Sequence, residues 1–159
     1  MEKKKKCFLI IVLLFLLVVL LLRSCDKNSD TIKELLPFDE LAQEWVGKQD
    51  LPNGAENGGR IQVPGFSTLV FNADQKSQKV NFYNPEENNC LFLMTLYVDE
   101  GREVWKSGYV QPGRGYYDIE LNETLEKGEY NNAYLLINCF REDGTALNSA
   151  RVEFNLTVK

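Results

Sequence analysis

Histidine is absent from the 159-residue chain. Its absence removes the commonest general base at neutral pH, the commonest metal ligand, and every pairing of histidine with a serine or cysteine nucleophile. Cysteine is scarce, with four in the whole sequence, too few for a small fold held by a dense disulfide framework. No phosphate-cradling glycine loop joins a strand to a helix, because Gly113-Arg114-Gly115 has strand patterns on both sides and reads as a turn. These gaps lead to the expectation of a non-enzymatic protein with no cofactor, no metal site and no catalytic residues.

What is present begins with an uninterrupted apolar run over residues 8–22, preceded by Lys3, Lys4, Lys5 and Lys6 and followed by Arg23. A helix over residues 7–22 is about 24 Å long, short of the ~30 Å hydrocarbon core unless Lys5, Lys6 and Arg23 snorkel. The basic excess on the N-terminal side predicts a cytoplasmic tip (residues 1–7), a transmembrane signal anchor (8–22) and everything beyond outside the cell membrane. Leu22-Arg23-Ser24-Cys25 also resembles a lipobox, which makes a lipoprotein signal processed and lipidated at Cys25 the alternative. Either way the protein is tethered to a membrane.

With the five basic residues around the run and Glu2 set aside, residues 26–159 carry 13 Lys and Arg against 22 Asp and Glu, a net charge of −9. Binding to phosphate backbones needs a basic footprint, so nucleic acid is excluded as an expected partner of the outer part. The lysine cluster suits the anionic inner leaflet instead.

Residues 23–59 read as a stalk and linker. Phe38, Leu41, Ala42 and Trp45 have helical spacing after Pro37, which fits a short amphipathic helix over 38–46 or, equally, a loosely ordered tether with one hydrophobic foot. The stretch 47–60 holds four glycines and a proline with little to bury and reads as a flexible linker. From residue 60 the hydrophobic period becomes two. Strands are predicted at 61–63, 67–71, 79–83, 90–98, 103–109, 115–121, 133–140 and 150–158, separated by turn dipeptides such as Asn84-Pro85, Pro112-Gly113 and Asp143-Gly144. Seven or eight short strands in about 100 residues predict an all-β, immunoglobulin-like antiparallel β-sandwich over 60–159. Glu126-Lys127-Gly128-Glu129-Tyr130 fits the tyrosine corner of such domains, whereas the inter-sheet cysteine expected two residues later is Asn132.

An antiparallel pairing of 90–98 with 131–139 places Cys90 opposite Cys139, Phe92 opposite Ile137, Met94 opposite Leu135 and Leu96 opposite Ala133, all apolar. A disulfide between Cys90 and Cys139 is allowed outside the cell but geometrically awkward between directly opposed strands, and two buried free thiols are the expected reading ahead of the bridge.

The candidate acids for a glycosidase pair, Asp99, Glu100, Glu103, Asp118, Glu120 and Glu123, fall in turns or on outward strand positions, where solvated surface is the ordinary explanation. Among Trp105, Tyr109, Tyr116 and Tyr117, Trp105 is expected in the core, and Tyr116 beside Arg114 is the pair expected to make a surface contact.

The segments Ile61-Gln62-Val63-Pro64-Gly65-Phe66, Phe82-Tyr83-Asn84-Pro85-Glu86 with Asn88, and Ser107-Gly108-Tyr109-Val110-Gln111-Pro112-Gly113, continuing through Ile119, Leu121, Leu125, Gly128, Tyr130 and Ala133, resemble a group of small membrane-anchored proteins of Gram-positive bacteria, many carried on integrative conjugative elements. The resemblance spans 60–159 and the anchor-plus-linker plan, and implies an outward β-sandwich without enzymatic activity. An RNA-methyltransferase designation that some members carry is at odds with the lack of a βαβ cofactor unit. The reading expected from the sequence is therefore a non-catalytic interaction module whose partner is an envelope or element-encoded protein, accessory to a mobile-element or conjugation apparatus. The alternatives are a carbohydrate-binding surface module using exposed tyrosines, and a cell-wall hydrolase.

Overall fold

The computed structural model describes residues 36–47 and 60–159. The basic tip, the membrane segment, Cys25 and residues 48–59 of the linker lie outside them. Eight strands and no helix make up the described residues: β1 (Gln43–Glu44), β2 (Thr68–Phe71), β3 (Ser77–Tyr83), β4 (Leu91–Val98), β5 (Arg102–Val110), β6 (Arg114–Glu120), β7 (Gly128–Phe140) and β8 (Ala146–Val158). They form two sheets, one of three strands in the order β1-β6-β3 and one of five in the order β2-β8-β7-β4-β5. All pairings are antiparallel except that of β2 with β8, which is parallel.

Alternation explains most of this. In β7 the residues Ala133, Leu135, Ile137 and Cys139 are buried and those between them are not, the period-two signature of a strand with one face on the core. β4, flanked by β5 and β7, is apolar on both faces, as suits a central strand. The two sheets share one core: Trp105 of β5 meets the ring of Phe82 from β3 at 5.8 Å and that of Tyr116 from β6 at 5.1 Å. Burying these side chains away from water supplies the main driving force for joining the sheets.

Three expectations are corrected. The pairing of β4 with β7 is antiparallel, but displaced by two residues: Phe92 faces Cys139, Met94 faces Ile137 and Leu96 faces Leu135. An even displacement keeps every side chain on its face, and strands with unbroken apolar alternation fit equally well at any even offset. Residues 61–63 form no ladder. Asn88 instead holds both backbone groups of Gln62, its Oδ1 accepting from the amide and its Nδ2 donating to the carbonyl at 2.8 Å each, while Ile61 and Val63 pack against the core. The amphipathic helix over 38–46 is absent; the chain there is extended, with one tight turn, and belongs to the domain. Side chains that a helix would hold together point apart, Leu41 being 79% exposed and Ala42 1%.

Passage from β5 in one sheet to β6 in the other is made by Gln111-Pro112-Gly113, where the Arg114 amide donates to the Gln111 carbonyl and Gly113 has φ +74°. Asn84 secures this corner. Its Nδ2 donates to the carbonyls of Cys90 (2.8 Å) and Val110 (2.9 Å), its Oδ1 accepts from Asn88 Nδ2, its amide donates to the Arg114 carbonyl and its carbonyl accepts from Gly113. Asn84 is fully buried. Its replacement by alanine takes the side-chain donor from two buried carbonyls and the acceptor from one Asn88 N–H, so Asn84→Ala is expected to cost about 3 kcal/mol or more. The exposed Asn148→Ala should change stability by less than about 0.5 kcal/mol. Urea denaturation of the two variants checks the difference.

Candidate functional site

Two features carry side chains arranged beyond the needs of simple core packing. The first is the strap, residues 36–47, which crosses from the β5 edge of the larger sheet to the β6 edge of the smaller. Asp39 donates its amide to the Tyr109 carbonyl, and Phe38 and Tyr109 form an isolated parallel bridge. Further along, Gln43 and Glu44 pair with Gly115 and Arg114, the Trp45 amide donates to the Gly113 carbonyl, and the Val46 amide donates to the Tyr117 hydroxyl at 2.8 Å.

Asp39 is the clasp. Its Oδ2 accepts from the Gly108 amide (2.6 Å) and the Tyr116 hydroxyl (2.5 Å), and its Oδ1 accepts from the Leu41 amide (2.8 Å). The last bond closes an Asx-turn, and this local bond competes with helix at that point. Gly108 eases the approach, since a Cβ there would lie 3.1 Å from the Asp39 Cβ and the strap would have to give by a few tenths of an ångström. Burial acts to raise the Asp39 pKa, but the hydrogen bonds from Tyr116, Gly108, Leu41 and Ala42 outweigh it and hold the carboxyl below its ordinary value. The same contact, with burial as the larger cause, pushes the Tyr116 hydroxyl far up.

The surface role expected for Arg114 and Tyr116 does not hold. Tyr116 is 4% exposed and seated on Trp105, with Asp39 supplying its hydroxyl with a partner. The half-buried Arg114 spends its guanidinium on the Ala42 carbonyl, with Nε at 3.0 Å and Nη2 on the same oxygen. Trp105 is in the core as expected. Tyr109 packs edge-on against Phe140, and the Tyr117 hydroxyl is occupied by Val46. Trp45, which the sequence reading placed on a helix, lies beside an open cleft of about 420 Å³ also lined by Glu44, Glu86 and Gln111. One face of its ring is stacked on Tyr83 at 3.8 Å, and a Cβ on Gly47 would collide with that ring.

The candidate acids are exposed and several are committed elsewhere. Asp99 and Glu123 hold the Arg102 guanidinium at 2.6 and 2.5 Å, and Asp118 pairs with Lys79. Among the described residues no group of three His, Cys, Asp or Glu side chains stands close enough to hold a metal ion.

The second feature is the outer face of the larger sheet, where register aligns side chains in rows across β5, β4, β7 and β8. One row is Glu103, Tyr97, Tyr134 and Glu153; the next is Lys106, Thr95, Leu136 and Arg151. Tyr97 and Tyr134 stack at 4.9 Å, and the Arg151 guanidinium lies over the Tyr134 ring at 3.7 Å while pairing with Glu153. These residues were not singled out from the sequence. The alternation of β7 and β8 contained them, but the rows exist only once four strands are in register.

Comparison with protein-family models, with curated proteins and with solved structures finds no match to this chain.

The strap generates a pH prediction. Because the folded pKa of Asp39 lies below its ordinary 3.8, the stabilisation it provides is complete above that pH and is lost as pH falls through the folded value. Thermal melts between pH 5 and 2 should show wild type losing stability more steeply than Asp39→Asn, which is less stable at pH 5 and flatter. Equal slopes would show that Asp39 does not clasp the strap.

Proposed function

We propose that this chain is a membrane-tethered, extracytoplasmic, non-catalytic interaction module with an immunoglobulin-like fold, accessory to a mobile-element surface or transfer apparatus and bound to an envelope or element-encoded protein. The observation that carries the reading is the cluster of Tyr97, Tyr134 and Arg151, drawn from two adjacent rows on the outer face of the larger sheet. Tyrosine and arginine are the residue types that dominate the energetics of protein contacts, since they bring large area and hydrogen-bonding capacity at low entropic cost. The tether is supported by the apolar run over 8–22 behind its lysine cluster.

The finer fold assignment has two supports. The order β8-β7-β4-β5 opposite β1-β6-β3 corresponds to strands G, F, C and C′ facing D, E and B, with β1 of the strap taking the D position. The Tyr130 hydroxyl donates to the Glu126 carbonyl at 3.0 Å, the bond that defines a tyrosine corner.

The test is site-directed photo-crosslinking of the full-length protein in its native membrane. A probe at Lys106, on the outer face, is expected to capture one defined envelope or element-encoded protein, and a probe at Lys79, on the smaller sheet, is not. Tyr97→Ala with Tyr134→Ala should reduce that adduct at least tenfold without loss of folding. Equal capture at both positions, or an adduct indifferent to the tyrosines, overturns the reading.

A further inference from the structure

The described residues contain two cysteines, Cys90 and Cys139, both free thiols and 1% and 3% exposed. Cys90 directly precedes β4, and Cys139 is the penultimate residue of the neighbouring β7. Because Phe92 is the residue opposite Cys139, Cys90 sits one diagonal step away on the same inward face. Each thiol is the largest influence on the other's acidity, which lowers the Cys90 pKa and raises that of Cys139. Cys90 is also free of the ladder: its carbonyl accepts from Asn84 Nδ2, so its backbone is positioned by the corner rather than by a strand partner. Cys90 is therefore not directly opposite Cys139, and the objection to a bridge between directly opposed strand residues does not apply.

We propose that Cys90 and Cys139 form an oxidation site, closed by a disulfide that joins the start of β4 to the end of β7. In the reaction both sulfurs lose their protons, one S–S bond forms, and two electrons pass to a disulfide oxidant, which is reduced to two thiols. The oxidant is a thiol-disulfide oxidoreductase or oxidised glutathione. Burial of both sulfurs places the exchange during folding, before the core closes over them. Occurrence in the cell rests on the proposed extracytoplasmic placement, because only an oxidising compartment keeps the bridge. The closed loop of about fifty residues restricts the unfolded chain strongly.

Two measurements on the full-length protein separate the site from its location. In the first, denatured protein is refolded in a buffer of reduced and oxidised glutathione, alkylated and peptide-mapped. A linked pair of peptides containing Cys90 and Cys139 is expected, with a Tm about 10 °C or more above the same protein kept in reductant. That linked pair should vanish in Cys90→Ser and in Cys139→Ser. If both thiols are alkylated after refolding under oxidising buffer, the site is overturned.

In the second, cells are quenched in acid and the membrane-extracted protein is labelled under denaturing conditions without reductant. Protection of both cysteines supports the bridge in the cell. Free thiols in the cell together with a bridge on refolding keep the site and overturn the extracytoplasmic placement.

Discussion

A buried asparagine amide holds the described fold together at the place where the chain leaves one sheet for the other. Asn84 follows β3 directly, and its hydrogen bonds reach Cys90 just before β4, Val110 at the end of β5, and Gly113 and Arg114 at the start of β6. A primary amide is suited to that position because it supplies two donors and an acceptor on a short, planar group. Aspartate lacks the donors, and alanine would leave carbonyls stranded in a water-free corner, where an unmade bond costs more than a made one contributes. Through Asn88 the same network grips Gln62, so it also fastens the chain that precedes β2. The position of Cys90 beside Cys139 is a further consequence, since Asn84 sets the backbone of Cys90.

The strap shows a second polar constraint working in the opposite direction along the chain. A segment of modest hydrophobicity is held by backbone pairing and by one carboxylate rather than by an apolar face: Leu41 and Val46 are left exposed while Asp39 makes three hydrogen bonds. The domain thus includes residues 36–47. A helix would have satisfied the same backbone groups internally, but it would have forfeited the bonds of Asp39 to Gly108 and Tyr116 and the stacking of Trp45 on Tyr83. Tertiary partners therefore override the local helical periodicity.

On the outer face of the larger sheet, the polar and aromatic groups are ordered without being consumed by the core. Arg151 is held by both a ring and a carboxylate, and Tyr97 and Tyr134 support each other. Side chains that are already restrained lose less freedom when a partner covers them. The strap region, by contrast, uses up its arginine, its tyrosines and its aspartate internally. That difference is why the proposed contact surface lies on the sheet face and not at the residues first singled out.

Strand positions from 67 onward were legible in the sequence because period-two alternation and turn dipeptides are local signals. The inward face of Cys90 and of Cys139 followed from parity alone. The pairing offset of β4 and β7, the fold-back of 36–47 and the burial of Tyr116 did not. Each depends on an interaction between residues far apart in the chain: Asn84 with Val110, Asp39 with Tyr116, Arg114 with Ala42. A sequence by itself determines which face of a strand is apolar and where the chain turns. Only the tertiary structure decides which polar groups meet, because a hydrogen bond between distant segments leaves no periodic trace in either of them.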